Sequence, residues 1–231
     1  MDHRKEFYMS LEFSPETEMS DIRPKSEQLQ GLETTIDLEC AELSHLTELT
    51  EASDLIAGTP EKDIENWHMQ SETNSCAVST QELVAEQLLG EDFSEQDFIN
   101  FATEQGWYKS EIGTTVSDTG KLLEAVGLET KQEFNQTLSD LFGELENGHK
   151  AIVGVNNMAL DNPEFAELPG IQANHVVEVI GIDYSNPNDV QVILNDTGVP
   201  DGKGKHISAD TFAKSWNTSN RFMVTAWKGA K

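Results

Sequence analysis

The sequence carries two cysteines and six histidines, and one of each stands where it could do chemistry. Cys76 sits where the polar stretch Gln70-Ser71-Glu72-Thr73-Asn74-Ser75 gives way to an apolar repeat. His175 opens the run His175-Val176-Val177-Glu178-Val179-Ile180-Gly181-Ile182-Asp183, and Asp196 closes the run Val190-Gln191-Val192-Ile193-Leu194-Asn195-Asp196. A thiol, an imidazole and a carboxylate in contact make a nucleophile, its base and the group that orients the base. That set can attack a carbonyl carbon and pass through a thioester. Gln70, six positions ahead of Cys76, adds a carboxamide that the loop can fold back beside the sulfur. Together with the Cys76 backbone N–H it would supply the two donors of an oxyanion hole.

These residues need elements to hold them. Downstream of Cys76, Leu83, Val84, Leu88 and Leu89 recur at helical spacing and Gly90 closes the run, which predicts an amphipathic helix with Cys76 in its first turn. Unpaired amides and the positive end of the helix dipole favour thiolate there. His175 and Asp196 lie on two predicted strands joined by Asn186-Pro187-Asn188, an antiparallel hairpin. With its turn centred between Asn186 and Pro187, Asp196 falls opposite Val177, on the face of His175. Asn195 then points to the other face, and a one-residue slip exchanges the two, so Asn195 stands as the alternative third member. Glu178, a charge inside an apolar strand, reads as the solvent face of an edge strand.

The rest of the chain predicts helices first and strands second. Ser94-Glu95-Gln96-Asp97 starts a helix carrying Phe98, Phe101 and Ala102 and closed by Gly106. After a loop with Gly113-Thr114, a third helix holds Leu122, Leu123 and Val126 and a fourth holds Leu138, Leu141, Phe142 and Leu145. A buried strand over 151–155 and a long loop over 157–173 follow, then the hairpin, a short helix over 208–216 and a closing strand over 222–227. This is an α+β plan, with the cysteine on the helical half, the base on the sheet, and the site where the two meet. His68 is the rival base, with no strand to hold it. His3, His45, His149 and His206 read as solvated, Cys40 as a helix-face hydrophobe, and Trp67 and Trp216 as packing residues.

The stretches 70–78 and 174–183 and the pair Asn195-Asp196 resemble papain-fold cysteine peptidases, most closely the bacteriocin-processing, double-glycine-peptidase-like family. Such proteins show a Gln upstream of a helix-starting Cys, then His-Val-Val-x-Val-x-Gly on a strand, then Asn-Asp on the next. The resemblance covers the chain from Trp67 onward and implies a papain-like two-lobed fold. Asn74-Ser75-Cys76-Ala77 is not the Cys-Gly-Ser-Cys-Trp signature of the plant enzymes. Thr197-Gly198 also follows Asp196 where many leader peptidases have Pro, a difference that bears on substrate more than on chemistry.

Charge and length bound the remaining readings. Forty-two acidic residues against 15 basic ones give −27 over 231 residues, which disfavours nucleic acid and anionic membrane surfaces and makes a basic protein the electrostatic complement. Two cysteines without a CxxC pair predict neither a disulfide framework nor a structural zinc site, and no metal or cofactor is expected. Neither a signal-peptide-like apolar block nor a run of membrane-spanning length is seen. The expectation is a soluble bacterial protein, cytoplasmic or exported without a cleavable signal, and not fused to a transporter. Residues 1–58 read as an acidic arm, disordered at first and then helical along Leu29, Leu32, Ile36, Cys40, Leu43 and Leu46. That arm is a control or docking element or part of the core, and residues 59–231 form the catalytic domain. The combined reading is a cysteine hydrolase acting on amide bonds of a peptide or protein through Cys76, His175 and Asp196. Its alternatives are a glutamine deamidase or acyl transferase on a protein substrate, and an inactive papain-fold module that binds a basic partner.

Overall fold

The computed structural model describes residues 55–230. His3, Cys40, His45 and the apolar stripe from Leu29 to Leu46 lie outside them. In chain order the strands are β1 (Ile56–Gly58), β2 (Tyr108–Lys109), β3 (Gly113–Thr114), β4 (Glu129–Glu133), β5 (Lys150–Val155), β6 (His175–Asp183), β7 (Gln191–Asn195), β8 (Lys205–Ser208) and β9 (Met223–Trp227). The α-helices are α1 (Pro60–Asp63), α2 (Cys76–Leu89), α3 (Glu95–Gln105), α4 (Lys121–Ala125), α5 (Leu138–Glu146), α6 (Asn157–Asp161) and α7 (Ala209–Asn217). The main sheet is antiparallel and runs β4-β9-β5-β6-β7-β8. β5 covers the His175 half of one edge of β6, and β1 covers the half ending at Asp183. β1 and β6 come together closely: a Cβ on Gly58 would lie 2.4 Å from the Ile180 carbonyl oxygen, and its φ is +86°. Glycine alone fits there. The sheet takes in the last three residues of the stretch read as the N-terminal arm.

Helices pack on both faces. On one, Leu138, Leu141, Phe212 and Trp216 of α5 and α7 meet Val153, Val177 and Val179. On the other, Val84 and Ala85 of α2, Phe98 of α3 and Leu123 of α4 meet Ile152, Val176 and Val224. α2, expected to be amphipathic, is buried along most of its length, with only Glu86, Leu88 and Leu89 partly open. Sandwiched between the sheet and two helices, it has little solvent side, so its buried polar residues must find protein partners. Gln81 Oε1 accepts from the Gly120 and Leu122 amides at 2.7 and 3.2 Å, capping the start of α4 from the side.

The sequence signal missed elements that lack apolar alternation. β4 reads Glu-Thr-Lys-Gln-Glu, and is a strand because five of its residues pair in register with β9. β1, β8 and the β2–β3 hairpin are too short to show a period. The predicted loop over 157–173 holds α6 and a 3-10 turn, each started by an asparagine that accepts a backbone N–H, Asn156 from Ala159 and Asn162 from Glu164. Glu178 overturns its expected place: β6 is flanked by β5 and β7, and Glu178 is wholly buried on the face covered by α2.

Candidate active site

Cys76 is the first residue of α2, with a C-terminal stop at Gly90 in the left-handed conformation. The preceding loop is tied down at both ends. The Gln70 amide donates to the Thr197 carbonyl at 2.9 Å, joining it to the residue after Asp196. The Ser71 amide donates to both oxygens of Glu95 at 3.1 and 3.0 Å, the Ser75 hydroxyl donates to Glu95 at 3.0 Å, and the Ser79 hydroxyl donates to it as well. Burial pushes the Glu95 carboxyl up, but these donors outweigh it and hold the group below its usual range. Sequence reasoning saw only the Ser94 cap, which forms, with the Asp97 amide donating to Ser94 Oγ at 3.3 Å. The signal for Glu95 was an acid at the first helical position followed by no base, beside three serines that lie far off in sequence.

His175 and Asp196 meet across the β6–β7 hairpin, Nε2 to Oδ1 at 2.7 Å. Asp196 is held on every side: the Gly198 amide donates to Oδ1 at 2.8 Å, the Trp67 indole N–H donates to its carbonyl at 2.9 Å, and its own amide donates to the Gly202 carbonyl at 2.9 Å. A Cβ on Gly198 would stand 2.8 Å from His175 Cε1, and one on Gly202 would stand 1.9 Å from the Asp196 carbonyl oxygen. The loop closes against the pair only because both are glycine. With Nε2 given to Asp196, Nδ1 is the ring nitrogen left for the Cys76 thiol. Burial pushes that thiol up, but the hydrogen bond and charge of His175 and the amides of Val176 and Ala77 bring it below its ordinary value. Burial likewise opposes a charged His175. The Asp196 carboxylate, then Cys76, outweigh it and raise the imidazole to about 10. Asp196, pushed up by burial, is held below its ordinary value chiefly by His175. The three favour thiolate, imidazolium and carboxylate together.

A cleft of about 240 Å³ opens over these groups, lined among others by Gln70, Asn74, Cys76, His175, Asp196 and Lys205. Gln70 lines this cleft, but its Nε2 donates to the loop carbonyls of Glu72 and Thr73 at 2.8 and 3.1 Å, and its Oε1 accepts from the Thr197 hydroxyl at 3.3 Å. Asn195 faces the other way, to Glu178 Oε2 at 3.0 Å. His68 does not line the cleft and pairs with Glu82 at 2.7 Å. Trp216 is core, and its indole donates to the Phe222 carbonyl.

A family model described as Peptidase_C39 like family matches residues 61–223, a span that holds Cys76, His175 and Asp196. The chain belongs to the Peptidase_C39 like family. A crystal structure from Bacillus anthracis described as a C39-like peptidase superposes with a TM-score of 0.58 at 13% identity, covering 77% of this chain and all of that one. The C39-like papain fold is thus shared. A double glycine motif protease from an AMS/PCAT transporter, solved with its leader peptide, gives a TM-score of 0.46 at 16% identity, over 69% of this chain and 86% of that one. Uncharacterized proteins of Mycobacterium tuberculosis and Mycobacterium bovis are 31% identical over 129 residues, 50% of this chain. This C39-like chain spans about half the length of those curated relatives, 53%. Among the described residues no helix is long and apolar enough to cross a membrane.

Proposed function

We propose that the protein is a cysteine peptidase that cleaves an amide bond of a peptide or protein through Cys76, His175 and Asp196. The observation that carries this reading is the buried His175 ring, held by Asp196 at 2.7 Å on one nitrogen and facing the Cys76 thiol with the other, at the floor of an open cleft. In the reaction the Cys76 thiolate attacks the substrate carbonyl carbon. The oxyanion forms beside the first amide of α2, which has no acceptor within the helix. The His175 Nδ1–H passes to the amide nitrogen, the C–N bond breaks, and the amine leaves behind a thioester. Water then gives its proton to His175, adds to the thioester and releases the acid, returning the thiolate and imidazolium. Asp196 keeps its charge throughout and holds the ring in orientation.

Gln70 serves as the second oxyanion donor when one N–H of its carboxamide turns from a loop carbonyl to the substrate. Gln70→Ala is then expected to lower kcat by about 10²–10³-fold with KM little changed, as steady-state hydrolysis of a peptide substrate would measure. An unchanged kcat would place the second donor elsewhere.

The reading is tested by iodoacetamide followed by peptide mapping. At pH 6 Cys76 is expected to be alkylated well ahead of Cys40, because a paired thiolate persists where an ordinary thiol is protonated. His175→Ala should abolish that preference. Equally slow labelling of the two cysteines at pH 6 would overturn the assignment and leave a C39-like binding module.

A further inference from the structure

Glu178 lies on the buried α2 face of β6, where Val176 and Ile180 would lead one to expect another apolar residue. A carboxylate in that position is costly unless its partners are well placed. Its Oε2 accepts from Gln87 Nε2 and from Asn195 Nδ2, each at 3.0 Å. Gln87 belongs to α2, the helix that begins with Cys76. Asn195 belongs to β7 and immediately precedes Asp196. Glu178 itself is three residues beyond His175 on β6. One oxygen atom thus joins the three elements that present the three reactive side chains.

The same donors reach further. Asn195 Nδ2 and Gln87 Nε2 also lie 3.1 and 3.4 Å from the Asp63 carbonyl, and the Gly204 amide donates to Asn195 Oδ1 at 3.3 Å. The loop that carries Gly198 and Gly202 is therefore anchored to this cluster at its far end. Asp63 is in turn bound by Lys150 of β5 and by the Thr59 hydroxyl at 2.8 Å. Burial, then the charge of Asp63, raises the Glu178 carboxyl to about 7, against the pull of Lys150, Gln87 and Asn195. None of these groups lines the catalytic cleft.

We infer that Glu178 is a positioning residue, whose side chain locks α2 and β7 to β6 so that Cys76 and Asp196 arrive on opposite sides of His175. This rests on the cysteine-peptidase reading and deepens it. Leucine at 178 would fill the volume but leave the Gln87 and Asn195 donors without their acceptor. Glutamine would keep an oxygen for both.

The test compares wild type, Glu178→Gln and Glu178→Leu, each first shown to be folded by thermal melting. The readouts are the rate of Cys76 alkylation by iodoacetamide from pH 5 to 9, and kcat and KM on a peptide substrate. Glu178→Leu is expected to shift the alkylation profile to higher pH and to lower kcat at least about tenfold at similar KM, since small misplacements of reacting groups cost that much or more. Glu178→Gln is expected to restore both. If Glu178→Leu does not fold, Gln87→Leu, which cuts only the link to α2, is expected to give the same shift. Wild-type alkylation profiles in a folded Glu178→Leu or in Gln87→Leu overturn the inference, even if melting temperatures move, because a purely structural role would lower stability and leave the thiolate alone. A wild type that itself shows no thiolate at pH 6 overturns instead the peptidase reading on which this one stands.

Discussion

Cys76→Ala and His175→Ala are each expected to lower hydrolysis of a peptide substrate by about 10⁴-fold or more, because in the proposed mechanism nucleophile and base act as a unit. His68, the rival base, is taken by Glu82. The two variants should differ in stability. Cys76 is a small buried residue, so alanine leaves little void and the melting temperature should hold. His175→Ala takes the imidazolium from the Asp196 carboxylate in a buried site and leaves it the Gly198 amide and the more distant charge of Lys205, so the melting temperature should fall.

The same pair sets the pH dependence. His175 is raised to about 10 in the folded protein, so its stabilising contribution is full below the ordinary imidazole range and is lost as pH climbs toward 10. Asp196 is depressed, so its contribution is present above the ordinary carboxylate range and is lost as pH falls from that range through the depressed value. Hydrolysis should follow the ion pair, with an alkaline limb near pH 10 on which the imidazolium is lost. Turnover of either variant within tenfold of wild type would remove that residue from the chemistry.

Asp196→Asn is expected to cost about 10²–10⁴-fold in kcat, since an amide can accept a hydrogen bond from the ring but cannot stabilise the imidazolium. Asn195→Ala should cost less in rate and more in stability. Its side chain serves Glu178, Asp63 and Gly204 rather than His175, and its loss leaves a buried carboxylate short of a donor, worth about 1–3 kcal/mol. The two variants, compared by kcat and by melting temperature, separate the residue that faces the ring from the one that holds the strands. Greater loss of kcat in Asn195→Ala would mean that the third position of the triad is not Asp196.

Much of the fold was legible in single residues because their physics is local. Gly90, Gly106, Gly127 and Gly148 stop helices through positive φ, Ser94 starts one through its side-chain cap, and the apolar runs over 151–155 and 175–183 declare the central strands. The helix over 76–89 was read from its apolar spacing, but its depth was not. That depends on what covers its polar side, and Gln81 and Gln87 find their partners 39 and 91 residues away. β4 was invisible because an exposed edge strand needs no apolar alternation. Glu178 was misread because sequence cannot distinguish a charge facing water from a charge facing Gln87 and Asn195.

The choice between Asp196 and Asn195 shows where sequence reasoning ends. The chain alone placed a histidine at one end of a hairpin and Asn-Asp at the other, which puts both within reach and leaves the register to a single residue. In the structure the pairs nearest the turn, Asp183 with Gln191 and Gly181 with Ile193, follow one register, and those nearest the site, Val179 with Leu194 and Glu178 with Asn195, follow another. A bulge at Ile180 separates them, where β1 crosses close against β6 through Gly58 and Gly181. Carried straight through from the turn, the first register would set Asp196 opposite Glu178 and turn Asn195 to the face of His175. The extra residue in β6 reverses the faces, and it shows only once the strands are paired, because a bulge leaves no mark on the apolar pattern of β6.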